Sequence, residues 1–172
     1  TRMLNGERAF AASDTVDREA AELVASRCGV TDPAAIARLA AAERRLRPWD
    51  DTVDGLDAFA GRWPIAGLSN ASRATLAALN AHAGLRWHFV LSAQDAGAYK
   101  PAAAIYRLPT DLLGYAPERV LLVAAHAWDL RGAQAVGLRT AYVPRLHGDP
   151  PRADDAFDHT ADSLAELLRA IG

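Results

Sequence analysis

The stretch RVLLVAAHAWDLRGAQAVGLRTAYVP, residues 119–144, decides the fold. Its two apolar runs, RVLLVAA and LRTAYVP, are typical of buried strands, and the segment between them, DLRGAQAVG, is typical of a helix. A strand, a helix and a second strand in this order form a right-handed unit whose two strands are parallel. The stretch therefore predicts an α/β protein with a parallel sheet.

The same alternation extends in both directions from this unit. Two earlier apolar runs, WPIAGLSN and WHFVLSA, are each followed by a helical pattern, and DSLAELLRAIG closes the chain as a helix. Residues 6–47 instead have a helical pattern throughout, with Gly29 as a C-cap and Pro33 as the first residue of a second helix. We therefore expect helices in residues 1–48 and an α/β unit with a parallel sheet in residues 49–172.

Composition indicates a globular protein and excludes several kinds of partner. Of the 172 residues, 51% are hydrophobic, and the formal net charge of -2 is spread along the chain rather than collected in blocks. This favours neither a nucleic-acid surface nor a polybasic membrane surface, and no apolar run approaches the length of a membrane-spanning helix. The single cysteine, Cys28, is expected to be a small buried residue, and the lack of a second one favours the reducing cytoplasm.

The stretch LSAQDAGAYKPAAAIY, residues 91–106, holds the only lysine of the chain, Lys100, against 18 arginines. A lysine retained among so many arginines suggests a position where a compact ammonium fits and a forked guanidinium does not, although a surviving surface lysine is the alternative. Lys100 follows the second predicted strand, while Ser69 and Asn70 follow the first and Asp129 follows the third. The carboxyl ends of parallel strands share one edge of the sheet, so these side chains are expected to meet there.

Three motifs, LSN, YKPAAAIY and VAAHAWDLRGAQAVGLRTAYV, occur in this order at the ends of predicted strands. Together they resemble the haloacid dehalogenase superfamily, and within it the L-2-haloacid dehalogenases of type II. The resemblance implies a doubly wound parallel sheet with a helical cap inserted after its first strand. Residues 1–48 would then be a partial helical cap, the later part of the whole cap, and residues 49–172 would be the core without its first strand. It also implies a homodimer that acts on a small 2-haloacid without a metal ion or other cofactor.

The resemblance assigns roles to individual residues. It implies catalytic roles for Ser69 and Asn70, which would hold the substrate carboxylate and halide, and for Lys100, which would neutralise carboxylates. Asp129 would pair with the lysine and help to orient water. Tyr106, His126 and Trp128 are the implied substrate-binding residues. Packing in the core is the alternative for Tyr106 and Trp128, and His126 stands where the family commonly has asparagine.

The residues around Asp129 distinguish this chain from the magnesium-dependent phosphatases of the superfamily. Those enzymes carry two acids in a Gly-Asp-x-x-x-Asp pattern, whereas Ala125 replaces the first acid here. One carboxylate is a poor magnesium site, because that ion prefers several hard oxygen ligands. The sequence therefore favours a metal-free dehalogenase over a phosphatase, and a non-catalytic relic that binds carboxylates is the main alternative.

The family nucleophile, an aspartate in an Asp-x-x-Gly-Thr motif at the end of the central strand, has no counterpart before residue 48. Asp14, Asp50 and Asp51 do not follow an apolar strand, and we do not assign them this role. Without a central strand, the first and third predicted strands lose a shared neighbour, and unpaired buried backbone groups are costly. Either the chain is a fragment of a longer one, or these two strands close the gap, or another chain supplies the strand.

Overall fold

The computed structural model describes residues 8–172 and contains an α/β fold. The helices are α1 (Ser13–Arg27), α2 (Pro33–Ala40), α3 (Thr52–Ala60), α4 (Arg73–Ala83), α5 (Ala93–Ala96), α6 (Ala103–Leu113), α7 (Ala127–Gln134) and α8 (Leu164–Ile171). The strands are β1 (Ala66–Ser69), β2 (Phe89–Ser92), β3 (Leu121–Ala124), β4 (Arg139–Tyr142) and β5 (His159–Thr160). The four long apolar runs of the sequence thus each contain a strand, as predicted.

The strands are parallel and fall into two separate ladders. β1 pairs with β2, with Leu68 opposite Leu91, and the second ladder has the order β3-β4-β5, with Val123 opposite Ala141. Within residues 8–172, β1 and β3 do not pair with each other. The possibility that these two strands close the gap between them is therefore wrong for this structure, and the other two possibilities stay open.

Helices cover both faces of the β3-β4-β5 ladder. Adjacent strand residues point to opposite faces, and accordingly Leu121 packs against a cluster with Leu167 of α8, whereas Leu122 packs against a cluster with Tyr106 of α6. Ala141 of β4 is fully buried in the first of these clusters. This ladder is thus covered on both sides, in keeping with the sequence of β3, which is apolar throughout and has no polar face.

The N-terminal helices differ from the prediction in which residues they bury. The helical pattern of the sequence puts Ala21, Leu23, Val24 and Cys28 near one face. In the structure α1 buries Ala21 and Ala25, whereas Leu23 and Val24 are about half exposed. Cys28 is exposed, so its expected role as a buried residue is wrong. Asp32 caps α2, accepting hydrogen bonds from the backbone N–H groups of residues 34 and 35 at 2.9 and 3.2 Å.

Three further differences concern the core. The segment PAAAIYRLPTDLLG predicts a helix with Pro101 as its first residue and an irregularity at Pro109. In the structure α6 begins at Ala103 and continues through Pro109. The irregular loop after β4 ends in the two-residue strand β5, which the sequence did not predict. In the part of the chain that the structure describes, no helix is both long and apolar enough to cross a bilayer.

The start of α1 is fastened to the core at three points. The Ser13 hydroxyl accepts a hydrogen bond from the Ser72 backbone N–H at 2.8 Å. The Thr75 hydroxyl donates to the Asp14 carboxylate at 2.9 Å, and the Tyr99 hydroxyl donates to the backbone carbonyl of residue 11 at 3.0 Å. These contacts join α1 to the segments that follow β1 and β2.

Candidate active site

The loops that follow β1 and β2 are bonded to each other at the carboxyl edge of the sheet. The Asn70 side-chain carbonyl accepts a hydrogen bond from the Lys100 backbone N–H at 2.8 Å. The buried Ser92 hydroxyl donates to the Ala71 backbone carbonyl at 2.6 Å, and the Ser69 hydroxyl accepts from the Ala71 backbone N–H at 3.1 Å. Asn70 thus fixes the backbone from which the Lys100 side chain extends.

Lys100, Asp129 and Tyr106 form one buried polar cluster. The Lys100 Nζ lies 2.7 Å from Asp129 Oδ2, and the Tyr106 hydroxyl donates to Asp129 Oδ1 at 2.7 Å. The side chains of Lys100 and Asp129 are only 8% and 10% exposed. An ammonium and a carboxylate this far out of water persist because each satisfies the other. Lys100 is therefore a specifically placed cation, and its alternative as a surface lysine is wrong.

Tyr106 is both a core residue and a member of this cluster. Its side chain is fully buried, and its ring centroid is 5.8 Å from the Lys100 Nζ. Burial, together with the hydrogen bond to the Asp129 carboxylate, raises the pKa of Tyr106 well above its usual value. The phenol therefore stays protonated and donates to Asp129, which leaves the second carboxylate oxygen for the ammonium.

His126 and Trp128 flank the start of α7, where Asp129 occupies the first turn. Their ring centroids are 5.8 Å apart, and both side chains are partly buried. Asp149, which the sequence analysis missed, holds this region: its carboxylate accepts from the Trp128 backbone N–H at 3.1 Å, and its backbone carbonyl accepts from the Ala127 N–H at 2.9 Å. No motif marked Asp149, because its partners lie 21 and 22 positions away in the chain.

Arg131 and Asp155 tie α7 to the loop after β4, with an Nε–Oδ1 distance of 2.7 Å. The hydrogen bond from Arg131 lowers the pKa of Asp155 to about 2, assisted by the Arg152 backbone N–H. An aspartate in the unfolded chain has a pKa of about 3.9. The pair therefore stabilises the fold above that pH, and its contribution is lost as the pH falls through 2.

We expect Asp155→Asn to lower the Tm at pH 6 and the difference in Tm from wild type to shrink toward pH 2. Calorimetric scans across this range check it, and a difference independent of pH would contradict it.

Gly132 of α7 packs directly against Tyr106. A Cβ at this position would lie 2.5 Å from the Tyr106 hydroxyl and 2.6 Å from its ring, closer than side chains tolerate.

We expect Gly132→Ala to displace Tyr106 and lower the free energy of unfolding by about 1–3 kcal/mol, the usual cost of overpacking a core. Urea unfolding checks this, with Gly61→Ala as the matched control, because a Cβ there meets only backbone oxygens at 3.6 and 3.7 Å. Equal effects of the two substitutions would contradict the packing argument.

The described residues, 8–172, contain no group of three or more His, Cys, Asp or Glu side chains arranged to hold a metal ion. The site therefore consists of one ion pair, one phenol and the amide and aromatic side chains around it. Such a set can hold an anion next to the ammonium, and it can polarise a water molecule through the carboxylate.

Comparison with known proteins places this fold and site in a family. A model of haloacid dehalogenase-like hydrolases matches residues 2–137. The (S)-2-haloacid dehalogenase 4A of Burkholderia cepacia is 37% identical over 134 residues, covering 76% of this chain and 58% of that protein. The (S)-2-haloacid dehalogenase of Pseudomonas sp. strain YL is 34% identical over 130 residues, covering 74% of this chain and 54% of that protein. The chain thus spans little more than half the length of these relatives.

Solved structures give the same result. The L-2-haloacid dehalogenase PA0810 superposes with a TM-score of 0.92 at 34% identity, covering 99% of this chain and 78% of that chain. The L-2-haloacid dehalogenase of Xanthobacter autotrophicus with chloropropionic acid covalently bound superposes with a TM-score of 0.84 at 29% identity, covering 99% of this chain and 79% of that chain. On the combined evidence of the parallel sheet, the site at its carboxyl edge and these matches, the chain belongs to the haloacid dehalogenase-like hydrolase family.

Proposed function

We propose that this protein takes part in the hydrolytic dehalogenation of small 2-haloalkanoic acids through an aspartyl-ester intermediate. The observation that carries the proposal is the Lys100 ammonium, buried against Asp129 at 2.7 Å at the carboxyl edge of the sheet. A fixed positive charge in a site of low polarity stabilises anions strongly, and this reaction must bring two carboxylates together and release a halide. The nucleophilic aspartate is expected on a segment outside these 172 residues.

The relatives support this chemistry. Several of those that match are named as 2-haloacid dehalogenases, and the Xanthobacter structure is described with chloropropionic acid covalently bound. In the proposed reaction, a carboxylate oxygen of the nucleophile attacks the α-carbon, the carbon–halogen bond breaks, and the halide leaves with the electron pair. Water then attacks the ester carbonyl, which releases a 2-hydroxy acid and restores the carboxylate.

The side chains of this chain have separable roles in the proposal. Lys100 neutralises the carboxylates that meet during attack, and Asp129 orients the ammonium and the water. Ser69 and Asn70 hold the substrate carboxylate and halide, and Asn70 also supports the Lys100 backbone through the hydrogen bond described above. Tyr106 fixes Asp129.

His126 and Trp128 are proposed to line the pocket for the substrate. Their rings lie together at the start of α7, next to Asp129 in sequence. We also propose residues 1–48 as part of the cap and residues 49–172 as the core. The working form is proposed to be a metal-independent cytoplasmic homodimer.

Halide release from 2-chloropropionate tests the proposal. The chain is compared with a version extended upstream to include the proposed nucleophile strand, and circular dichroism checks that both are folded. We expect release by the extended protein and none by the 172-residue chain alone. Folded protein of both lengths without halide release would overturn the proposal.

A carboxylate-binding protein without turnover is the second candidate. The observation that favours it is the combination of a preserved Lys100–Asp129 pair with alanines at 124 and 125, where the family often has hydroxyl residues. This candidate predicts that the extended protein binds 2-chloropropionate in calorimetry without releasing chloride. Turnover by the extended protein would exclude it.

A further inference from the structure

The segment that leads into α3 is held by an arginine from the loop after β4. The Arg145 Nη2 lies 2.8 Å from Asp51 Oδ1, and the guanidinium carbon of Arg145 is 5.9 Å from the centroid of the Trp49 ring. The second carboxylate oxygen of Asp51 accepts a hydrogen bond at 3.0 Å from the backbone N–H of Leu164, at the start of α8. One carboxylate thus joins three segments that are distant in sequence.

The Arg145–Asp51 contact is a charged pair with limited access to solvent. The two side chains are 19% and 26% exposed. Burial by itself would raise the pKa of Asp51, but the Leu164 N–H and the Arg145 guanidinium together outweigh burial and lower the pKa. Asp51 is therefore ionised at neutral pH, and the pair is less screened than an ion pair on the open surface.

The loop that carries Arg145 continues directly onto the end of β3. The Gly148 N–H donates to the Arg145 carbonyl at 2.9 Å and closes a turn, and the Asp149 N–H donates to the Ala125 carbonyl at 3.0 Å. A Cβ at Gly148 would collide with the same Ala125 carbonyl oxygen, so the turn packs tightly against the backbone there. The position of this turn is therefore fixed at both of its ends.

Asp149 extends these contacts to the candidate active site. Its backbone carbonyl accepts from the Ala127 N–H at 2.9 Å, and its carboxylate accepts from the Trp128 N–H at 3.1 Å. Asp129, the partner of Lys100, is the next residue in the first turn of α7. Direct contacts therefore run without a gap from the segment before α3 to the buried ion pair.

We propose that Arg145 is a positioning residue for the start of α7. Held by Asp51, it fixes the turn formed by residues 145–149, and this turn holds Trp128 and Asp129 in place relative to Lys100. Arg145 acts through the turn and not on the reacting atoms. Its part in catalysis rests on the proposed function, whereas its effect on the start of α7 does not.

Hydrogen exchange of the 172-residue chain, followed for single amides by NMR, tests the positioning without any turnover. The amides that report on the turn are those of Ala127, Trp128 and Asp149, because they donate the hydrogen bonds between the turn and its neighbours. The buried Leu76 amide, which donates a helical hydrogen bond of 2.9 Å in α4, is the reference. We expect Arg145→Met to raise the exchange rates of the reporting amides at least tenfold more than that of the reference.

Two further variants and a control sharpen this measurement. Arg145→Lys keeps one donor for Asp51, so we expect it to restore most of the protection of the reporting amides. Asp51→Asn removes the charge that faces Arg145 but keeps an oxygen for the Leu164 N–H, and it is expected to show the same local effect even if Arg145→Met does not fold. Arg86→Met is the matched control, because Arg86 also pairs with α3, at 3.2 Å from Asp57, but is 71% exposed and lies outside the turn.

Kinetics of the version extended to include the proposed nucleophile strand test the link to catalysis. We expect Arg145→Met to lower kcat for 2-chloropropionate about tenfold, within the range that small misplacements of catalytic groups cost. KM is expected to change less, because Ser69 and Asn70, which are proposed to hold the substrate, follow a different strand. Arg145→Lys is expected to recover most of kcat, and Arg86→Met to leave it unchanged.

The outcomes separate this proposal from the proposed function. Exchange that rises equally at the reporting amides and at Leu76, or at none of them, would overturn the positioning role. Selective exchange with kcat of Arg145→Met within twofold of wild type would overturn its part in the reaction. No halide release by the extended wild-type protein would refute the proposed function, and the exchange rates would still decide whether Arg145 holds the start of α7.

Discussion

Lys100→Met is expected to lower kcat/KM for 2-chloropropionate by about 10²–10³-fold, the usual loss when one preorganised electrostatic donor is removed from a site. The protein used is a version extended upstream to include the proposed nucleophile strand. The reason is the geometry of the ion pair: the ammonium is 8% exposed and lies 2.7 Å from Asp129, so solvent cannot take its place. Without it, two carboxylates must approach each other uncompensated.

Lys100→Arg is expected to lose most of the activity as well, because a forked guanidinium is larger than the ammonium and donates in a different geometry. Arg107→Met is the control, since Arg107 lies exposed on the following helix, away from the cluster. Halide release at several substrate concentrations separates kcat from KM. Activity of Lys100→Met within a few fold of wild type would remove Lys100 from the reaction.

Asp129→Asn is expected to lower the free energy of unfolding by about 3 kcal/mol, because breaking a buried pair from one side leaves an uncompensated charge. The Lys100 ammonium would lose its carboxylate partner, and the Tyr106 hydroxyl would donate to a neutral amide oxygen instead of a carboxylate. Both groups are too deeply buried for water to replace these bonds fully. This prediction concerns stability and holds for the 172-residue chain itself.

Urea unfolding of the chain measures this effect. Asp111→Asn is the control, because Asp111 is an exposed residue of α6 and such surface changes usually stay within about 0.5 kcal/mol. The double variant Lys100→Met/Asp129→Asn should recover part of the loss, since it removes the unpaired charge. A double variant whose loss equals the sum of the two single losses would show that the pair is not energetically coupled.

Local sequence patterns were sufficient to predict most of the strands and their parallel order. The four runs became β1–β4 because buried parallel strands are rich in apolar residues, and their alternation with helices fixed the parallel order. The meeting of Lys100 with Asp129 was also predictable, because both follow strands that end at the same edge. A lysine that is unique in an arginine-rich chain marked the site before any geometry was known.

The remaining features depend on contacts between residues distant in sequence. Asp149 accepts a hydrogen bond from the Trp128 backbone, and Gly132 packs against the Tyr106 ring. No local sequence pattern indicates either contact. The exposure of Leu23 was also unpredictable, because helical periodicity indicates an apolar face but not whether a partner covers it. The short strand β5 has only two residues, too few for a periodic signal.

The three hydrogen bonds at the start of α1 restrict how the molecule can open. On the α1 side, the bonded groups are the carbonyl of residue 11 and the side chains of Ser13 and Asp14. Their partners are Ser72 and Thr75, which follow β1 in sequence, and Tyr99, which follows β2. A hinged swing of the N-terminal helices would have to break all three together. We therefore expect small molecules to enter and leave the site through side-chain rotations at its rim, while the N-terminal helices stay in place.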